Sequence, residues 1–89
     1  MDKSQIEKLV FAVVSDQFNV PVQELTPKTL LIEDLGADSA ALVEFSARLE
    51  DTFKTEFPDL RYLADKDLGQ LIEFISTYDK LAQRTGTKG

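Results

Sequence analysis

The chain has 89 residues, 43% of them hydrophobic, with no cysteine, no histidine and a formal charge of −6. That suffices for one small domain with a modest core, and it excludes disulfides, thiolate metal sites and histidine-based catalysis. The N-terminal MDKSQIEKLV lacks the apolar run of a signal peptide and no stretch approaches a membrane span, so a cytoplasmic protein is expected.

Ile6, Leu9, Val10, Val13 and Val14 recur at helical spacing, and Ser4 with Glu7 has capping-box spacing. A first helix is predicted from near Ser4 to about Phe18. Asn19, Pro21, Thr26, Pro27 and Thr29 then break helical continuity, so residues 19–38 form a long first loop. Val20, Val22, Leu25, Leu30, Leu31, Ile32 and Leu35 recur through that loop, which should therefore lie on the core.

Gly36 marks a tight turn before the second helix, with Asp38 or Ser39 as its N-cap. The stripe Leu42, Phe45 and Leu49, flanked by Val43 and Phe53, carries this helix to about Lys54. Pro58 breaks the chain, and Asp59 can cap a short helix over 60–63. Asp67, with Gln70 three residues on, starts a last helix whose apolar face is Leu68, Leu71, Ile72 and Ile75, reaching to Tyr78 or Leu81. The expectation is an all-α, four-helix bundle: three longer helices, one short helix and a long first loop. Residues 1–82 would form the single domain and 83–89 a flexible tail.

The charge is placed unevenly. Residues 33–59 hold eight acids and two bases, and so carry the whole −6; the rest sums to zero. Such a field repels nucleic acid and anionic membrane and attracts basic protein surfaces. Ser39 lies inside this segment, beside Asp38. As a nucleophile it would need a neighbouring base, and the chain has no histidine. Glu33, Asp34 and Asp38 lack EF-hand spacing and could hold a hard cation only loosely, so no metal site is expected. A simple helix cap is a sufficient account of the Asp38-Ser39 pair. A further reading joins more of the features: Ser39 is a substrate, its hydroxyl exposed at a helix start to an outside enzyme. A phosphodiester there would sit in the positive field of the helix N-terminus, and the acids downstream would hold a basic partner close by.

The stretch Leu35-Gly36-Ala37-Asp38-Ser39 resembles the attachment motif of acyl carrier proteins. The likeness continues through Glu44, Leu49, Glu50, Asp51 and Phe53, through Glu56-Phe57-Pro58-Asp59, which resembles that family's turn after the second helix, and through Leu68, Ile72 and Ile75. Upstream it takes in Phe18, Val20 and Leu25 and so covers roughly residues 4–78. The resemblance implies a carrier without catalysis of its own. Ser39, with Asp38 beside it, would take a covalent 4′-phosphopantetheine from coenzyme A, and acyl groups would ride on the arm's thiol as thioesters. Partners would be a phosphopantetheinyl transferase, an acyl-loading ligase or transferase, and synthase or acyltransferase enzymes of fatty-acid, polyketide or related pathways. By position, Asp38, Glu44, Glu50, Asp51, Glu56 and Asp59 would meet their basic patches. A monomer is expected.

Several residues depart from the family pattern. Ala40 and Ala47 stand where larger apolar residues are usual, Leu42 where a small polar one is frequent, and Arg48 puts a positive charge on an acidic face. Ser46 replaces an apolar residue, and Gly69 should weaken the last helix. Altered anchors and charges set partner choice, so Ala40, Leu42, Ala47 and Arg48 join the expected docking residues of a carrier serving a dedicated pathway. A carrier of amino or aryl acids and an unmodified acidic adaptor are the alternatives.

Overall fold

The computed structural model describes residues 2–57 and 65–86. Three α-helices stand among them: α1 (Lys3–Phe18), α2 (Ser39–Phe53) and α3 (Leu68–Gly86). A short 3₁₀ turn, Val22–Glu24, lies in the first loop. The expected short helix over 60–63 and its cap Asp59 lie outside the described residues.

α1 starts earlier than Ser4. Its N-cap is Asp2, whose carboxylate accepts from the Ser4 and Gln5 amides at 2.8 and 3.2 Å, while Gln5 Oε1 accepts from the Asp2 amide at 3.3 Å. This reciprocal pair satisfies N–H groups that a helix start leaves free. The Ser4 hydroxyl does not cap; it donates to the same carboxylate at 2.8 Å. That bond, with the two amide bonds, holds the Asp2 carboxyl below its ordinary pKa. α1 ends at Asn19 in the left-handed conformation (φ 58°), and α2 ends the same way at Lys54 (φ 53°). α3 runs to Gly86; Ala82, Gln83 and Arg84 are good helix formers and nothing before Gly86 breaks the run.

α1 packs against both α2 and α3. It sends Ile6, Val10 and Val14 fully into the core. There they join Leu42, Phe45 and Leu49 of α2 and Leu68, Leu71, Ile72 and Ile75 of α3. Leu9 and Val13, expected in the same stripe, are only half-buried. The loop contributes Leu25, Leu31 and Ala37 to the core, as its apolar content predicts. Val22 and Ile32 are exceptions and stand exposed.

The loop is fastened to the start of α3. Asp67 and Gln70 cap each other, Gln70 N to Asp67 Oδ1 at 2.8 Å and Asp67 N to Gln70 Oε1 at 3.0 Å. The next two amides donate across to the loop, Leu68 N to Thr29 O at 3.0 Å and Gly69 N to Pro27 O at 2.7 Å. Leu30 and Asp67 form an isolated antiparallel bridge there. The approach is close at Gly69: a Cβ on it would stand 3.2 Å from both Pro27 Cβ and Pro27 O.

Two expectations follow. Because the Asp2 carboxyl is held low, its contribution is full above the unfolded aspartate pKa and is lost as pH falls through the folded value; amide exchange at Ser4 and Gln5 should quicken in acid before the core amides do. Alanine for Gly69 should lower the midpoint of thermal denaturation, although in an open helix it would add about 1 kcal/mol. A raised midpoint would show that the Pro27 turn gives way freely.

Candidate functional site: the start of α2 and its exposed face

The turn before α2 is built from its own backbone. Leu30 N donates to Asp34 Oδ2 at 2.7 Å. The amides of Asp34 and Leu35 return to Leu30 O at 3.0 and 3.2 Å, Gly36 N to Ile32 O at 3.0 Å, and Ala37 N to Leu31 O at 3.0 Å. Gly36 takes φ 71°, a left-handed value that only glycine adopts without cost. Ala37 is pressed into the core immediately before the site. The site thus begins at a point pinned from both sides.

Asp38 is the N-cap of α2: its Oδ1 accepts from Ala41 N at 2.8 Å, and its carbonyl accepts from Leu42 N at 2.9 Å. Ser39 is the first helical residue and is exposed. Among the described residues none hydrogen-bonds its hydroxyl, and the amides of Ser39 and Ala40 have no acceptor. Two amides open at a helix start beside a free hydroxyl suit a phosphodiester, since the helix dipole adds positive potential there. The residues present therefore fit a phosphopantetheine linkage. Glu33, Asp34 and Asp38 do not converge on a shared point among the described residues; Asp34 and Asp38 are engaged with backbone amides instead.

Along α2 the expected docking residues divide. Ala40, Glu44, Ala47, Arg48 and Asp51 are exposed. Leu42 is not: it is 6% exposed and lies with Phe45 and Leu49 in the core. Its place in the i, i+3, i+7 stripe turns it inward, where it packs in the core. Glu50 is half-buried and its Oε2 accepts from Phe57 N at 2.8 Å, which ties down the chain leaving α2. Glu56 is exposed, and Asp59 lies outside the described residues. Val43, which flanks the core stripe in the sequence, is 58% exposed. It stands three residues beyond Ala40 and four before Ala47, so the three form an exposed apolar stripe beside Glu44 and Asp51. The signal was available: a stripe fixed by Leu42, Phe45 and Leu49 leaves position 43 on the outer side.

Residues 8–75 match the family described as Phosphopantetheine attachment site. The chain is a member of the acyl carrier protein family. It is 37% identical over 71 residues to acyl carrier proteins of Helicobacter pylori strains J99 and G27, a span that covers 80% of this chain and 90% of each relative. Its fold is similar to a solved acyl carrier protein from Enterococcus faecalis, with a TM-score of 0.71 at 27% identity, covering 88% of this chain and 99% of that one. The prosthetic group of this carrier protein is 4′-phosphopantetheine. Among the described residues no helix is long and apolar enough to cross a membrane.

The cap predicts a measurable cost. Replacing Asp38 with alanine should destabilise the fold by about 1 kcal/mol, which for a domain of this size is a fall of roughly 4–8 °C in Tm. Asparagine at 38 should recover most of it, because it caps as well.

Proposed function

We propose that Ser39 is the attachment residue and that this chain is a non-catalytic carrier. The observation that carries the reading is the exposed, unengaged Ser39 hydroxyl beside two open amides at the first turn of α2. When bound, the 4′-phosphopantetheine arm supplies a terminal thiol on which acyl groups are held as thioesters. The chain's own residues do the rest. Asp38 fixes the start of the helix, Gly36 and Ala37 fix the turn, and the Ser39 hydroxyl becomes one ester of the phosphodiester. The serine oxygen would displace adenosine 3′,5′-bisphosphate from the coenzyme A pyrophosphate, one P–O bond forming as the other breaks, and its proton would leave to a base of the modifying enzyme, since this chain has no histidine. The carrier is thereby a substrate for a phosphopantetheinyl transferase, then for a loading enzyme, then for synthases or acyltransferases.

Docking of those enzymes falls on the exposed side of α2. Glu44 and Asp51 offer charge to basic patches, and Ala40, Val43 and Ala47 offer a shallow apolar strip. Small side chains at 40 and 47 present less apolar area than the larger residues usual in the family, which supports a carrier read by a dedicated set of partners in the cytoplasm.

Incubating the wild-type chain and Ser39→Ala with coenzyme A and a phosphopantetheinyl transferase, followed by intact-mass measurement, decides the central point. The wild-type chain should gain one phosphopantetheine unit and Ser39→Ala none. Modification of both would move the attachment to another residue. Modification of neither, with a control carrier modified in the same tube, would favour an unmodified acidic adaptor.

A further inference from the structure

α2 carries three acids, Glu44, Glu50 and Asp51, and a single base, Arg48. Arg48 stands one helical turn beyond Glu44, among the groups a basic partner would approach. Left free, it would oppose such a partner. It is not free. Its Nη2 lies 2.7 Å from Asp16 Oδ2, on the last turn of α1. The next residue of α1, Gln17, donates Nε2 to Glu44 Oε1 at 2.6 Å. Asp16 and Arg48 both line a groove of about 360 Å3, together with Leu9, Val13 and Asp51.

The pair's side chains are 42% and 72% exposed for Arg48 and Asp16. Exposed pairs of this kind add little to stability, since water and salt screen them and ordering the side chains costs entropy. Their effect on what a partner meets is larger. Charges at the rim of a binding surface govern encounter rate and salt dependence, and a like charge facing a partner is costly. With Asp16 in place the two charges cancel, and Arg48 no longer offsets the acids of α2.

We propose that Asp16 is a specificity-determining residue for partner docking: by holding Arg48 toward α1 it takes the one positive charge of α2 out of the field met by a basic enzyme surface. Gln17 assists by holding Glu44 on the same side. The proposal rests on the carrier reading above and names a residue outside the attachment helix as part of its recognition.

The test is the steady-state kinetics of arm transfer from coenzyme A by a phosphopantetheinyl transferase, on the full chain, for wild type, Asp16→Asn, Arg48→Gln and the double variant. At low salt Asp16→Asn should raise KM about five-fold with kcat nearly unchanged, because rim charges act on encounter. The rise should shrink at about 0.5 M salt, where the Debye length falls below 5 Å or so. Arg48→Gln should abolish it, the double variant matching Arg48→Gln alone, since a neutral partner leaves nothing for Asp16 to mask. Circular dichroism melts of all four proteins check that the fold is kept. An unchanged KM for Asp16→Asn, or a rise that persists in the double variant, would overturn the proposal. Should the wild-type chain take up no arm, the carrier reading falls and this inference with it; should it be modified while the variants fail to separate, only this inference falls.

Discussion

The structure depends on how residues 27–30 are clasped to the start of α3. A twenty-residue connection cannot hold one path by apolar contacts alone, because its backbone polar groups also need partners. Here the free amides of a helix start supply them. Leu68 and Gly69 donate to Thr29 and Pro27, which satisfies two donors of α3 and two acceptors of the loop at once. With that end fixed, Leu31 and Ala37 seat in the core, the bonds of residues 30–37 close, and Ser39 emerges at a defined place.

The chemistry at that place is spare. The chain supplies a hydroxyl, a capped helix start and a patterned exterior; on the carrier reading proposed above, bond making falls to other proteins. This division suits a small domain, which has little room for an enclosed pocket. What it can specify well is a surface. The acids of α2 are accordingly not equivalent: Glu50 is drawn into a backbone contact with Phe57, Glu44 is steadied from α1, and Asp51 pairs with Lys54 at 3.5 Å, an exposed pair that leaves its charge largely available.

Much of this was legible in the sequence because local rules governed it. The spacing of Leu42, Phe45 and Leu49, the glycine before Asp38 and the Asp67–Gln70 cap each depend on neighbours within one or two turns. The resemblance centred on Leu35 to Ser39 supplied the site. The misses involve residues whose role is set by something distant. Leu9 and Val13 share the spacing of core residues, yet the width of the α1–α2 contact leaves them at a groove. Gly69 reads as a weakness in its helix, and only the approach of Pro27 shows that a side chain there would crowd the loop. Asp16 and Gln17 meet Arg48 and Glu44 only because α2 packs beside α1, which no local spacing encodes.

One consequence concerns measurement along the molecule. α2 is stopped firmly at both ends, by the Asp38 cap and by the left-handed turn at Lys54, so its length has no slack. At about 1.5 Å per residue, Glu44 lies roughly 7.5 Å and Asp51 roughly 18 Å along the axis from Ser39. The helix acts as a ruler. Any protein that grips the far acid also finds the Ser39 hydroxyl at a set distance, and its own basic residues would have to be spaced by the same interval.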